Sequence, residues 1–273
     1  MSSNAIEVMS PAKLNLFLHV TGRQDNGYHE LQTVFQLLNW GDTLRFELSD
    51  IPGIHLTSDL SGVNHADNLI IRGANLLSLP SDTGVSVSVN KVIPMGGGLG
   101  GGSSNAAVTM LALNKLLALG YSVDEMADMG AALGADVPVS VRGQSAWGEG
   151  IGEKLTPIEL PNRWYVIIYP NCHVSTQEIF TAPELTRNTP PITVSAFFDG
   201  AVRNDLQPVV AARYEPVKTA LKWLSERGSA MMTGSGACVF AAFDEREIAE
   251  QVAGDAAGLF KAFVAEGINR YSL

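Results

Sequence analysis

Cysteine is nearly absent: Cys172 and Cys238 are the only two in 273 residues, far apart and without neighbours at metal-ligand spacing. That excludes a disulfide framework and a cysteine-held zinc, and it fits two reduced thiols, one or both buried. Long apolar runs are also missing. No window reaches the ~18 uninterrupted apolar residues of a membrane span. The start, Met1-Ser2-Ser3-Asn4-Ala5-Ile6-Glu7, has neither a basic nor an apolar signal region, so no secretory signal is expected and a cytoplasmic location is. Positive charge is scarce: 18 Lys and Arg against 28 Asp and Glu give a formal net charge of -10. An acidic surface repels nucleic acid and anionic membrane, which excludes both as primary partners. An anionic ligand must then be held by backbone amides and a few basic side chains. Internal repeats and low-complexity tracts are lacking.

What is present is ordinary for a soluble enzyme: 46% hydrophobic and 17% charged residues. The length suits one large domain or two sharing a cleft. Strands are predicted at Leu14–Val20, and at Leu31–Leu38 and Thr43–Leu48, where the intervening Asn39-Trp40-Gly41-Asp42 reads as a hairpin turn. Val85, Val87 and Val89 alternate with polar residues, as on a half-buried strand ended by Pro94. Asn105–Leu119 is so apolar that it predicts a buried helix, with Gly120 at its end. Ser122 and Glu125 form a capping box for the next helix, which Gly134 can close. After the Gly-rich stretch Gly143–Gly152 comes a strand, Trp164–Tyr169. Thr181–Pro191 reads as an ordered loop and Val209–Glu226 as one amphipathic helix. Val239–Phe243 is a strand, Glu245–Ala256 a helix and Phe263–Ile268 a last strand. The layout is α+β, in two layers, with a domain boundary between residues 155 and 156.

The segment with most chemical content is Pro94-Met95-Gly96-Gly97-Gly98-Leu99-Gly100-Gly101-Gly102-Ser103-Ser104. Each glycine costs roughly 0.5–1 kcal/mol of ordering entropy relative to alanine. Such a cost is tolerated where a ligand approaches the backbone or φ is positive. A strand, a glycine turn and a helix start together make a phosphate cradle from N–H groups and the helix dipole. A Walker A loop requires a lysine before its serine, and none follows Gly102. A dinucleotide fingerprint is literally matched by Gly96, Gly98 and Gly101. It belongs after the first strand of a βαβ unit with an acidic residue about twenty positions on. Here the loop lies mid-chain and Asp124 begins a helix, so an oxidoreductase is a weaker alternative.

The glycine segment resembles the second motif of the GHMP kinases. Pro11-Ala12-Lys13-Leu14-Asn15-Leu16 looks like their N-terminal motif and Thr233-Gly234-Ser235-Gly236-Ala237-Cys238 like their C-terminal one, in the expected order. The extra glycines after Leu99, with Gly27-Tyr28-His29-Glu30-Leu31-Gln32 and Gly134-Ala135-Asp136-Val137-Pro138, resemble one branch of that family. The resemblance runs from about Pro11 to Gly267. It implies an N-terminal ATP-binding domain of ribosomal protein S5 domain 2-like fold and a C-terminal ferredoxin-like α/β domain. It further implies ATP with Mg²⁺ and, from the branch, a cytidine diphosphate-linked sugar alcohol as acceptor. Homoserine and mevalonate remain alternative acceptors. Oligomeric state is not legible; a monomer or weak homodimer is the expectation.

Phosphoryl transfer to an alcohol needs a positioned hydroxyl, charge relief and a destination for the proton. The resemblance gives Asp136 as base or hydroxyl orienter, against the alternative of a helix cap. Lys13, the only charge between Val8 and Val20, is its expected counter-ion, against a snorkelling edge lysine. Ser103 and Ser104 can reach phosphate or Mg²⁺, or only cap the helix. No carboxylate pair for a metal is evident, and Glu149 and Asp136 are possible contributors. From the resemblance, Tyr28 and Phe180 match stacking positions and His29 a base-contacting one. Asn15 and Thr176 match the sugar-alcohol end, and Lys91 lies near the acceptor phosphates. His19, His55, His65 and His173 read as structural or surface. Gly234–Gly236 lines the cleft or forms a plain turn.

Overall fold

The computed structural model describes residues 4–25, 27–58, 64–200 and 202–273, with His65 described in its backbone only. The first half comprises β1 (Ala5–Arg23), β2 (His29–Ser49), β3 (Gly53–Leu56), α1 (Leu69–Ala74), β4 (Gly84–Asn90), α2 (Gly101–Leu116), α3 (Val123–Gly130), α4 (Val137–Arg142), β5 (Ala146–Glu149) and β6 (Lys154–Pro157). The second comprises β7 (Trp164–Tyr169), α5 (Thr176–Thr181), α6 (Val194–Phe198), α7 (Gln207–Arg213), α8 (Glu215–Ser225), β8 (Ala230–Met232), β9 (Val239–Phe243), α9 (Arg246–Asp255) and β10 (Lys261–Ile268). Strand order is β3-β4-β2-β10-β7-β9-β8, with β1 and β5 also on β2 and β6 on β5. The halves meet where Gly267 and Ile268 of β10 pair with Leu38 and Leu37 of β2. This is the mixed α/β layout expected.

Each half buries its own apolar cluster. In the first, Phe46, Val85 and Val87 of the sheet pack against Ile70, Met110, Leu113 and Met126 of the helices. In the second, Val166, Ile168 and Val239 pack against Val210, Leu221, Leu224 and Val252. A third cluster joins Leu14, Leu38, Ile93 and Leu99 to Ile167, Cys238 and Phe240, so the halves share a core. α2 is alanine-rich where it meets α1: a Cβ on Gly73 would lie 3.0 Å from the Ala106 carbonyl, which is the closeness those small residues permit.

The structure corrects several sequence expectations. Asn39-Trp40-Gly41-Asp42 is not a hairpin turn; β2 runs straight through it. The polar and glycine residues serve other ends. A Cβ on Gly41 would sit 1.9 Å from the Ser10 carbonyl, so the glycine admits β1 at close range. Asp42, fully buried, accepts from the N–H groups of Val92 (2.8 Å) and Ile93 (2.9 Å) and pairs with Lys91. The helix expected over Val209–Glu226 is two, because Pro216 has no N–H and Tyr214 is extended at φ -122°. The stretch Gly143–Gly152 holds a strand, β5, which the glycines masked. α2 begins earlier than expected, inside the glycine run, and ends at Leu116. α3 ends at Gly130, before Gly134, while its capping box is formed as expected.

Candidate active site

Lys13 and Asn15 lie on the same face of β1, two residues apart. A register shift between Pro11 and Lys13 bends β1 there. The Lys13 ammonium donates to Asn15 Oδ1 at 2.7 Å and to the Gly98 carbonyl at 3.1 Å, and lies 3.1 Å from an Asp136 carboxylate oxygen. Its side chain is 5% exposed and that of Asp136 33%. Asp136 stands before the first residue of α4, the cap position, but makes no cap hydrogen bond. A nearly buried cation holds it instead, and its outer side remains open. Asn15 Nδ2 donates to Thr33 Oγ1 at 3.0 Å, and Thr233 Oγ1 accepts from Asn15 N–H at 2.9 Å.

The glycine loop is built against all these neighbours. Lys13 N–H donates to the Leu99 carbonyl at 3.0 Å; Ala237 and Cys238 N–H donate to the Gly96 and Gly97 carbonyls at 3.2 and 3.0 Å. The first and third motifs thus clamp the second. Gly98 and Gly100 take φ of 75° and 72°. Their Cβ atoms would meet the Thr233 carbonyl at 2.4 Å and the Lys13 Cε at 2.9 Å, and one on Gly101 would meet Ile93 at 3.0 Å. At these positions the glycines are required by protein packing, not by open space for a ligand. Gly100 stands at the N-cap of α2, and the first intrahelical bond runs from Ser104 N–H to the Gly100 carbonyl at 2.8 Å. The N–H groups of Gly101, Gly102 and Ser103 precede that bond and make the helix start a positive end.

Three cavities meet along one cleft. One of about 560 Å³ is lined by Pro94 to Ser103, with Asn68, Lys91 and Asn105. A second, about 600 Å³, holds Lys13, Asn15, Ser103, Asp136 and Ser235. A third, about 730 Å³, holds Tyr28, His29, Leu133 and Phe180. Gly98, Gly100 and Ser103 line both the first and second; Gly134, Ala135 and Phe180 line both the second and third; Thr176 lines all three. Thr176 and Ser235 hydroxyls are 2.7 Å apart, and Gly234 and Gly236 also line the middle cavity rather than forming a remote turn.

Several expected residues lie differently. Ser104 is buried and accepts from Ser10 Oγ at 2.8 Å, behind the loop. Lys91, expected near the acceptor phosphates, lines the glycine-loop cavity and is tied to Asp42. Glu149 accepts from Gln32 Nε2 at 3.2 Å and is not among the cleft-lining residues. Among the described residues no group of three His, Cys, Asp or Glu is placed to hold a metal. Sequence reasoning missed His173, whose ring packs on Gly96 in the middle cavity, and Asn105, buried at the loop cavity with its Oδ1 unpartnered among the described residues. It also missed Asn204, whose amide holds the carbonyls of Met232 and Gly234, both at 2.8 Å. No helix among the described residues is long and apolar enough to cross a membrane.

The clamped glycine loop, the helix start beneath it and the Lys13–Asp136 pair at its edge define a phosphotransferase site. Residues 68–144 match the GHMP kinase N-terminal domain and residues 192–261 the GHMP kinase C-terminal domain. The chain belongs to the GHMP kinases, a family of ATP-dependent kinases. Among solved structures it is similar to a 4-(cytidine 5'-diphospho)-2C-methyl-D-erythritol kinase, at 30% identity, TM-score 0.85, covering 96% of this chain and 99% of that one. It shares its fold with a homoserine kinase from Cytophaga hutchinsonii at 20% identity and TM-score 0.65, covering 99% and 96%. It likewise shares it with the L. major mevalonate kinase at 14% identity and TM-score 0.67, covering 100% of both. The dinucleotide-binding alternative falls with this membership. Its physical reason is that the loop follows β4, the second strand of the parallel β3-α1-β4 unit, and not the first strand of a βαβ unit.

Proposed function

We propose that the protein transfers the γ-phosphoryl group of ATP to the 2-hydroxyl of 4-diphosphocytidyl-2-C-methyl-D-erythritol, giving the 2-phosphate and ADP, a step in non-mevalonate isoprenoid precursor synthesis. The observation that carries this reading is the position of the Lys13–Asp136 pair in the middle of the cleft, between the glycine loop and a cavity lined by Tyr28, His29 and Phe180. A phosphate donor belongs at the first end. A flat, polar-edged base belongs at the second, where aromatic faces and a histidine meet.

In this reading the triphosphate lies against the N–H groups of Gly101, Gly102 and Ser103, with the unpartnered Asn105 Oδ1 as an acceptor for a donor on the nucleotide. The glycine-loop cavity, with its free N–H groups and Ser103 hydroxyl, fits such an anion. Mg²⁺ would be held beside the phosphates by Ser103 and Asp136, relieving charge on the transferred group. The acceptor oxygen forms the new bond to the γ-phosphorus as the bond to the bridging oxygen breaks. Asp136 orients the hydroxyl and takes its proton, or hands it on; Lys13, 3.1 Å away, holds the carboxylate in place. Asn15 and Thr176 face the sugar-alcohol portion. The nucleotide domain is residues 1–155 and the domain closing on the substrate 156–273. The acidic surface, at net charge -10, agrees with small-molecule partners in the cytoplasm rather than nucleic acid or membrane.

The test is ADP release in a coupled assay with the cytidine diphosphate alcohol, homoserine and mevalonate in parallel, with and without Mg²⁺. Turnover confined to the first acceptor is expected. Turnover confined to either of the others would reassign the acceptor.

A further inference from the structure

His29 at the start of β2 is buried, and one ring nitrogen is already engaged: Arg187 Nε donates to His29 Nε2 at 3.0 Å. A guanidinium has donors only and stays protonated. Nε2 must therefore be an acceptor, the ring neutral, and its hydrogen on Nδ1. Burial, then the positive charges of Arg187 and Arg23, hold the imidazole below its ordinary pKa, in keeping with a neutral ring. The same guanidinium donates to the carbonyls of Phe180 (3.0 Å), Ala182 (2.6 Å) and Leu185 (3.1 Å). The first two carbonyls lie at the end of α5 and the third in the loop after it, and the Phe180 ring packs on His29 at 5.1 Å between centroids. One side chain thus ties the histidine to the aromatic wall of the third cavity.

We infer that Arg187 is a positioning residue for base selection: by occupying His29 Nε2 it leaves Nδ1–H as a fixed donor, which selects cytosine over uracil in this cavity. The inference rests on the cytidine reading above and goes beyond it in naming how the base is told apart. Cytosine N3 has a lone pair that accepts from an N–H; uracil N3 carries a hydrogen and would oppose one. A histidine free to change tautomer could serve either base. Held by Arg187, it serves only the first.

Two measurements test this. Long-range proton–nitrogen spectra of the wild-type protein labelled at histidine report the His29 tautomer without any ligand; the Nδ1–H form is expected at pH 7.5. Finding the Nε2–H form or a protonated ring overturns the inference, whether or not any variant folds. Calorimetric affinities for CDP and UDP are then compared in the wild type, R187M, and H29N with and without R187M. The CDP preference should fall roughly tenfold or more in R187M. An Asn amide at position 29 can present its N–H where Nδ1 stood without needing Arg187, so H29N and H29N/R187M should discriminate alike. Unchanged preference in R187M, or loss in H29N/R187M but not H29N, assigns Arg187 a structural role only and overturns the inference. A wild type that binds neither CDP nor UDP refutes the cytidine reading, and base selection with it; the spectrum still tells separately which tautomer His29 holds beside Arg187.

Discussion

Asp136 occupies the cap position of α4 yet turns its carboxylate to Lys13, 3.1 Å away on β1, instead of to its own helix. A cap residue that declines to cap is doing something for another partner. Here the partner is a cation that is 5% exposed and would otherwise be held only by Asn15 and a carbonyl.

Replacing that carboxylate by an isosteric amide should spare the fold and remove the chemistry. Asp136→Asn is expected to lower kcat by about 10²–10⁴-fold, with the affinity for an ATP analogue changed only a few-fold. Steady-state ADP release and calorimetry on one preparation check it. Turnover near wild type would dismiss Asp136 from the reaction. Lys13→Met should also lower kcat, but with a loss of about 1–3 kcal/mol in unfolding free energy, because Asn15 Oδ1 and the Gly98 carbonyl lose a donor.

The glycine loop separates two effects that a single activity assay would merge. Gly98→Ala places a Cβ 2.4 Å from the Thr233 carbonyl at a positive φ, and Gly101→Val presses on Ile93. Both are expected to lower the melting temperature as well as weaken nucleotide binding, Gly98→Ala because the third motif must undock and Gly101→Val because Ile93 must shift in the core the halves share. Gly102→Ala, whose Cβ would meet only the Leu69 side chain at 3.2 Å, should leave melting near wild type. Equal melting temperatures for Gly98→Ala and the wild type would show that the clamp does not hold the loop.

How much of this was legible in the sequence follows from what each signal encodes. The glycine run, Lys13 and Asp136 were readable because their chemistry sits in short local motifs. The strands Trp164–Tyr169 and Val239–Phe243 were readable because their apolar runs are bounded by breakers. Arg187 and Asn204 were not, since each acts through hydrogen bonds to distant carbonyls, a role that leaves no local pattern. Asp136 itself shows the limit: the motif named it and the pairing with Lys13 was expected, but only the folded chain shows that it stands at a cap position without capping.

Tyr28 is 60% exposed, so removing its ring costs little packing and any effect is a binding effect. Tyr28→Ala should raise KM for the cytidine acceptor roughly tenfold, with KM for ATP and the melting temperature nearly unchanged. Parallel KM shifts for both substrates would contradict placement of the acceptor base in the aromatic cavity.

His19 gives the fold a pH dependence of its own. It is buried with both ring nitrogens unpartnered among the described residues, and burial lowers its pKa from 6.5 despite the opposing pull of Asp205. The unfolded chain therefore binds a proton more readily than the folded one. The stability is fully present above pH 6.5 and is lost as pH falls toward the depressed folded value. Denaturant unfolding between pH 7.5 and 5 should show this fall. His19→Phe should flatten part of it, the remainder belonging to His29, which is lowered in the same direction. An identical slope in the variant would show that His19 is not the group responsible.

The residues Asn39-Trp40-Gly41-Asp42 imitate a turn because glycine and aspartate are turn formers, yet in a continuous strand both are spent on neighbours. Asp42 satisfies two N–H groups at the root of the glycine loop and pairs with Lys91, whose side chain is 23% exposed in the glycine-loop cavity. Asp42→Ala leaves both donors buried and an unopposed cation beside the glycine loop. Unfolding free energy should fall by about 3–5 kcal/mol. Asp42→Asn keeps an acceptor for the two N–H groups but frees the charge on Lys91, so it should lose less stability and bind the triphosphate more tightly than the wild type does. Weaker binding in Asp42→Asn at equal foldedness would mean that the Asp42 pairing orients Lys91 toward the phosphates, and not merely that it offsets its charge.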